Sequence, residues 1–344
     1  MASRKETVLK AFRLETPERV PVVIYGGGVW TMANSGHKFE DFIGKPAEYA
    51  KLIIDTASKL DSDMVFPGSG YNNLQAGALG GKIKFRPVGA PDLEAPIVDS
   101  LEDLERLDFN RLGQDPMIQT IWQATEMVAK EIGDEYLLAP TAWGPFSLAA
   151  QFYGVERMMH GMFKQKKLVH AVLEFTTELI FRFYQPMIEN GSIQCLGLAD
   201  ATASGDLISR RQFVEFASPY LKKLSDRARS AGALTFLHIC GDTNDRLDVF
   251  PDTGADLIAI DHKTGMANCK QLIGHKMCVA GNVNPVFVLN QATPDEVRSA
   301  AQANIDEAAA GGGYVLLPGC DIPPSVPMEN IRAFVATAHS AKYQ

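Results

Sequence analysis

Two short runs of this sequence carry groups able to hold a soft divalent cation. Leu234-Thr-Phe-Leu-His238-Ile-Cys240-Gly-Asp242 sets an imidazole and a thiol two residues apart, and Tyr314-Val-Leu-Leu-Pro-Gly319-Cys320-Asp321 adds a second thiol. Side chains two apart on a strand point the same way, so His238 and Cys240 can converge on one point. One imidazole and two thiolates form a Zn²⁺ donor set. Three protein ligands leave the fourth position for a substrate, as at a catalytic zinc. Structural zinc sites are built from paired Cys-x-x-Cys knuckles, and the sequence has none. A histidine and a cysteine at a strand end also occur as ordinary hydrogen-bonded core residues, and the residues alone leave that alternative open. Cys195, Cys269 and Cys278 lie in apolar or helical context and are expected to be buried structural thiols. His37, His160, His170, His275 and His339 fall on helices or loops with no partner in view.

The elements that must position these groups emerge from periodicity. Apolar runs of strand length alternate with longer helical patterns. The strands are expected at Arg19–Gly28, Asp63–Gly68, Tyr136–Trp143, Ile193–Ala201, Leu234–Gly241, Asp256–Asp261, Cys278–Val283 and Tyr314–Gly319. Helical stretches include Pro46–Leu60, Asp115–Ile132, Lys167–Asn190, Arg210–Ala231, Pro294–Ala310 and Met328–Ala341, with Thr293 placed to cap the helix that Pro294 opens. Eight strands, mostly separated by helices, predict an α/β fold: a (β/α)8 TIM barrel with an insertion after the second strand. A doubly wound open sheet needs fewer strands and is the runner-up. Catalytic groups of such a barrel come from the C-terminal ends of the strands, where His238, Cys240 and Cys320 fall. The insertion covers about residues 70–113. Within it Lys82–Gly89 alternates polar and apolar residues like an exposed strand, and Pro87, Pro91 and Pro96 follow in or after it. It holds too few apolar residues for a core of its own, so residues 1–344 are expected to form one barrel domain.

Composition narrows the function. The chain has 344 residues, 46% hydrophobic and 22% charged, and 41 acidic against 33 basic side chains give a net charge of −8. A general nucleic-acid binder needs a dense basic surface, so nucleic acid is not an expected partner. No run reaches the ~18 uninterrupted apolar residues of a membrane span. Met1–Arg13 has helical amphipathicity with charges throughout, unlike the apolar core of a signal peptide. Five cysteines do not make a disulfide framework, and a cytoplasmic location is expected.

Several segments resemble the uroporphyrinogen decarboxylase superfamily, over essentially the whole length. They are Arg19-Val-Pro-Val, Ala199-Asp-Ala-Thr-Ala-Ser-Gly-Asp-Leu-Ile208, Leu237-His-Ile-Cys-Gly-Asp242, Gly281-Asn-Val283, Pro318-Gly-Cys-Asp-Ile-Pro-Pro324 and Pro327-Met-Glu-Asn330. The His-x-Cys pair with a distant Cys resembles the zinc-dependent methylcobamide:coenzyme M (corrinoid) methyltransferases. That resemblance implies a barrel fold, with His238, Cys240 and Cys320 as zinc ligands and catalytic residues. It also implies transfer of a methyl group between a corrinoid and a thiol-type acceptor such as coenzyme M. Departures point away from the decarboxylase. Tyr25-Gly-Gly-Gly-Val-Trp30 lacks an arginine for substrate carboxylates, Asp63–Gly70 has no carboxylate at the strand end, and Gly319-Cys320 replaces a glycine–histidine pair. Where coenzyme M methyltransferases carry an acidic segment after the second strand, this chain has Tyr71-Asn-Asn-Leu-Gln75, which leaves the donor or acceptor open. Tyr71, Asn72 and Trp30 are the expected substrate-binding positions. The alternatives are a corrinoid-linked demethylase working on a methylated substrate and a metal-free decarboxylase.

Asp200 and Asp321 are candidates for a fourth ligand, and Asp242 for orienting one; helix capping is the competing role for all three. B12-binding domains that bind the corrinoid through histidine use Asp-x-His-x-x-Gly. The nearest string, Asp261-His262-Lys263-Thr264-Gly265, has the wrong spacing. The corrinoid is therefore expected on a separate carrier protein that docks over the barrel mouth. Gly26–Gly28 and Gly311–Gly313 do not form Gly-x-Gly-x-x-Gly after a strand, and close backbone packing accounts for them.

Overall fold

The computed structural model describes residues 2–24 and 27–343, so Tyr25 and Gly26 of the expected first strand and Met1 of the first helix lie outside the described residues. The strands are β1 (Met64–Val65), β2 (Ile83–Lys84), β3 (Asp92–Leu93), β4 (Leu137–Leu138), β5 (Thr141–Trp143), β6 (Cys195–Ala199), β7 (Leu234–Ile239), β8 (Leu257–Ile260), β9 (Cys278–Val283) and β10 (Tyr314–Pro318). Strands β5 to β10 form one parallel sheet in sequential order, and β1 pairs in parallel with β4. The expected third strand is split into β4 and β5 because Pro140 between them has no N–H to give the ladder; its carbonyl still accepts from Gly197 N at 3.0 Å.

The chain near residues 20–24 joins the two pieces. It contributes a single parallel bridge, Val22 to Leu316, rather than the long first strand expected. Val23 N donates to Leu316 O and Leu316 N to Pro21 O, both at 2.9 Å, while Asp63 N donates to Val22 O at 2.8 Å. Backbone hydrogen bonds thus run from β10 through residue 22 to the start of β1, linking the eight expected strand segments into the ring of a (β/α)8 barrel. Gly27–Ser35 is helical, which is why the first strand ends early. The second strand shortens to β1 because the chain turns at Gly68 and Gly70, both at positive φ; a Cβ on Gly70 would meet the Phe39 ring at 2.5 Å.

Inside the ring, Val23, Met64, Phe66, Cys195, Phe236 and Leu257 belong to one buried cluster. Val8, Ala11 and Phe12 of the helix Arg4–Phe12 belong to the same cluster, so this N-terminal helix closes the end of the barrel away from the strand C-termini. Its amphipathic pattern therefore serves a plug. The outer helices follow expectation closely: Pro46–Leu60, Pro116–Ile132 with Asp115 as its cap, Lys166–Glu189, Pro294–Ala308 and Met328–Ser340. Thr293 Oγ1 accepts from Glu296 N, and the Glu296 carboxylate accepts in return from Thr293 N, closing a capping box. The expected helix Arg210–Ala231 is two helices, Arg210–Phe216 and Ser218–Ser230. Pro219 lacks an N–H and disfavours helical backbone just before it, so the break falls there. No helix among the described residues is long and apolar enough to cross a membrane.

The excursion holds the short helix Leu74–Ala78, the antiparallel pair β2–β3 and the helix Leu101–Arg106. Its apolar residues Leu74, Leu79, Val98, Leu104 and Leu112 join the core that packs between strands and helices. Trp143 Nε1, at the end of β5, donates to Asn73 Oδ1 at 2.8 Å and ties the excursion to the barrel wall.

The seam at residue 22 depends on a buried ion pair. Asp63, fully buried, accepts from Arg19 Nη1 at 2.7 Å, Arg19 Nη2 at 2.6 Å and Val22 N at 2.8 Å. Asp63→Ala strands the guanidinium and the Val22 N–H together. It should cost about 3 kcal/mol, near the low end for breaking a buried pair because Arg19 keeps some solvent contact. Urea denaturation of the variant against wild type measures this.

Candidate metal centre

The register of β7 against its neighbours builds the centre. His238 pairs with Ala199 on one side and Ala259 on the other, and with Phe236 facing the barrel interior, His238 faces inward too. His238 is 1% exposed. Its Nδ1 lies 3.0 Å from the Ala259 carbonyl, which only accepts, so the proton sits on Nδ1 and the Nε2 lone pair points out of the sheet. Nε2 is 3.0 Å from Cys240 Sγ, and Cys240 Sγ is 3.3 Å from Cys320 Sγ. All three donor atoms lie within 4.8 Å of one another, the one such cluster among the described residues. Both cysteines are free thiols with partial access to solvent, whereas Cys195, Cys269 and Cys278 are buried. The burial of Cys195, Cys269 and Cys278 is as the sequence reading expects.

The electrostatics suit a cation. The neighbouring Cys240 thiol and then burial push the Cys320 thiol up, outweighing the pull of His238. Burial disfavours the charged imidazole, yet the Cys320 partner and the Ala259 carbonyl outweigh it and raise His238 above its usual value. Two thiolates this close repel one another and persist as anions only with a positive charge between them. A tetrahedral zinc with Zn–S near 2.3 Å keeps its sulfurs about 3.8 Å apart, so small shifts of Cys240 and Cys320 would seat it. The Ala259 carbonyl on the far nitrogen is the kind of partner that fixes the ring of a metal-bound histidine. The residues therefore fit Zn²⁺.

The two ligand loops are held by backbone contacts. Asp261 Oδ2 accepts from Gly241 N at 2.9 Å, fixing the residue after Cys240. Gly319, before Cys320, has room for nothing more: a Cβ there would meet His262 N at 2.6 Å and Asn282 O at 3.1 Å. Trp30 Nε1 donates to Val326 O at 3.1 Å and Asn34 Nδ2 to Pro324 O at 2.9 Å, clamping the loop after Cys320 onto the helix Gly27–Ser35.

Other expected site residues are placed differently. Trp30 is 4% exposed and Tyr71 is 3% exposed; the Tyr71 hydroxyl donates to Phe39 O at 2.7 Å, within an aromatic cluster with Phe39 and Tyr49. Both are buried, with their polar atoms donating to backbone carbonyls. Asn72 is partly exposed, and its Oδ1 is buried without a protein partner. Asp200 is not brought into the cluster. It follows β6 on the opposite face from His238 and accepts from Ser147 N at 2.6 Å and Phe146 N at 3.4 Å, capping the helix Pro145–Tyr153. Asp321 is exposed and outside the cluster. Asp242 accepts from Asn244 N at 2.9 Å, a turn at the start of the 3-10 helix Asn244–Thr253. Three histidines have partners that sequence did not reveal: His170 Nδ1 meets Tyr220 Oη at 2.8 Å, His339 lies 3.5 Å from Asp61, and His37 lies 3.8 Å from Asp41. Asp261, which sequence reasoning did not single out, stands at the C-terminal end of the sixth expected strand and holds the amide after Cys240.

With this geometry in place, likenesses to known proteins carry weight. Residues 3–341 match the family model for uroporphyrinogen decarboxylase (URO-D). Methylcobamide:CoM methyltransferase MtbA of Methanosarcina mazei is 29% identical over 98% of this chain and 98% of its own length. The protein of the same name from Methanosarcina acetivorans is 26% identical, also over 98% of both chains. A solved methyltransferase from Methanosarcina mazei superposes with a TM-score of 0.87 at 25% identity, covering 98% of this chain and 99% of that one.

Two outcomes follow from the site's construction. Gly319→Ala removes no ligand but drives a methyl group against the His262 backbone, so zinc affinity should fall about 10-fold or more, read by competition with a chromophoric chelator. Desolvation pushes the buried Asp200 carboxyl from its ordinary 3.8 up to about 6, against the pull of the Ser147 and Phe146 amides. The folded state then binds more protons than the unfolded state between those values. Stability should fall in wild type, relative to Asp200→Asn, as pH rises from 3.8 to about 6. The change is about 3 kcal/mol at most, measured by thermal midpoints across that range.

Proposed function

The chain belongs to the uroporphyrinogen decarboxylase (URO-D) family, and we propose that it is a methyltransferase moving a methyl group between a corrinoid (methylcobamide) carrier protein and a thiol-type acceptor such as coenzyme M. The observation that carries this reading is the convergence of His238 Nε2, Cys240 Sγ and Cys320 Sγ at one point. It occurs in a chain aligned end to end with relatives named methylcobamide:CoM methyltransferases. His238, Cys240 and Cys320 are the proposed ligands of a zinc ion. Zinc held there supplies Lewis acidity, keeping an acceptor sulfur as thiolate at neutral pH.

The chain's own residues set the conditions for that chemistry. Ala259 O holds the Nδ1 proton of His238 and keeps the imidazole in the tautomer that ligates through Nε2. Cys240 and Cys320, as thiolates, place two negative charges beside the acceptor sulfur, which keeps that sulfur electron-rich for attack on a methyl group. The Trp30 and Asn34 clamps hold the Cys320 loop still, so the donor set is organised before substrate arrives. The cysteines' partial exposure gives the acceptor and a docked carrier access from the mouth. No Asp-x-His-x-x-Gly run is present, in keeping with a corrinoid borne by a separate protein.

Cys240→Ala and Cys320→Ala should each lose bound zinc and lose methyl transfer from methylcobalamin to coenzyme M by at least ~100-fold. Plasma mass spectrometry measures the metal, and the absorbance of the demethylated corrinoid follows transfer. Full activity in either variant overturns the assignment.

A further inference from the structure

Arg246 is the only lysine or arginine that is buried among the described residues, and the chemistry above does not use it. Its Nε and Nη2 donate to the Asp245 carboxylate at 2.7 and 3.1 Å. Nη1 donates to Ala203 O at 2.9 Å and Nη2 to Ile208 O at 2.7 Å. Those two carbonyls stand at either end of the turn that follows β6, so one side chain brackets residues 203–208. Gly205, Asp206 and Leu207 at the tip of that turn are exposed. The turn lies against the loop that carries Cys240. Gly205 N donates to Asp242 O at 2.7 Å, while Asp206 Oδ2 accepts from Asp242 N at 3.3 Å and from Lys263 Nζ at 2.8 Å. A Cβ on Gly241 would run into Asp206 Oδ2 and stand 3.1 Å from Ser204 Oγ. Gly241 and Asp242 are the two residues that follow Cys240.

We propose that Arg246 is a positioning residue of the metal centre: by bracketing residues 203–208 it seats that turn on Gly241 and Asp242 and keeps Cys240 aimed at the donor cluster. The inference rests on the zinc reading of His238, Cys240 and Cys320 given above, and adds what holds the Cys240 loop from the β6 side. Taking a guanidinium wholly out of water is costly, and a turn with an exposed tip can otherwise be left to solvent. The cost is met here because the planar fork reaches a carboxylate and two carbonyls at once; a lysine ammonium is a single point and cannot hold both ends of the turn. From the β8 side the same loop is held by Asp261, which accepts from Gly241 N at 2.9 Å. The segment after Cys240 is thus gripped from both neighbouring strands. Arg246 acts on Cys240 only through residues 203–208, so loosening that turn should loosen the ligand.

The test compares wild type with Arg246→Lys, Asp206→Ala and the double variant. Each is loaded with cobalt(II), whose thiolate charge-transfer and d–d absorption reports the geometry of the donors without turnover. Zinc affinity is read by competition with a chromophoric chelator. Arg246→Lys should lose about 10-fold in zinc affinity, the scale on which groups that orient metal ligands act, and its cobalt bands should shift or weaken. Asp206→Ala should change both in the same direction. The double variant should lose no more than the larger single loss, because both residues act through one turn. Asp63→Ala, destabilised at the opposite end of the barrel, should keep the wild-type spectrum and zinc affinity. Wild-type affinity and spectrum in Arg246→Lys, additive losses in the double variant, or an equal loss in Asp63→Ala overturns the proposal. Where Arg246→Lys does not fold, Asp206→Ala decides alone, and a wild-type spectrum there overturns it. A wild-type protein that binds both metals but moves no methyl group from methylcobalamin to coenzyme M removes the methyltransferase reading and leaves the role of Arg246 standing. A wild-type protein that binds neither metal removes the zinc reading, and the positioning role falls with it.

Discussion

The His238–Cys240–Cys320 cluster depends on the pairing of β7 with β8, which sets His238 opposite Ala259. That register gives the imidazole a backbone carbonyl at 3.0 Å and so decides which nitrogen carries the proton. A slip of one residue would turn His238 to the outer face and send Nε2 into the helix layer. The sheet resists such a slip because its inner face is filled. Phe236 sits two residues below His238, wholly buried and edge-on to Phe66, so the strand cannot move without emptying the barrel's interior. Packing of the interior and placement of the donor set are thus one constraint.

Asp261 extends that constraint from the ladder to the loops. It lies two residues beyond Ala259 on the same chain segment, and its carboxylate reaches back to the amide that follows Cys240. Around it, Thr243 Oγ1 meets Thr264 Oγ1 at 2.9 Å, and Asn282 Nδ2 donates to Asp261 O at 3.0 Å and Thr264 O at 2.6 Å. The loops after β7 and β8 and the end of β9 are therefore tied to each other by side chains. These ties hold the loops that carry the donors against one another. The opposite end of the barrel is sealed by the N-terminal helix and by the Arg19–Asp63 pair, and carries no comparable cluster among the described residues.

Carboxylates in this chain divide by what they face. Asp200 and Asp261 both stand at strand ends beside the centre, yet one caps a helix across the wall and the other supports the ligand loop. A one-residue difference in phase separates them. Asp200 follows the inward-facing Ala199 and so turns outward, while Asp261 is in phase with Ala259 and turns in. Their chemistry is the same; their roles are set by which side of the sheet they occupy.

Strand and helix order, the donor types and their place at strand C-termini were legible in the sequence, because each is a local property: period, capping residues, and spacing along one element. Cys278–Val283 and Pro46–Leu60 have the bounds their patterns predict, and Thr293 caps as its type suggests. Local pattern also misled where proline acts through missing donors, at Pro140 and Pro219, and where Gly27–Ser35 turns helical in place of a strand. Only the tertiary structure decided that Trp30 and Tyr71 pack inward, that Asp200 serves a neighbouring helix, and that Asp261 and His262 lie between the two ligand loops. Those outcomes depend on contacts between residues tens to hundreds of positions apart. The spacing along a strand says which residues share its face, but ring closure decides which residues from other strands meet them there.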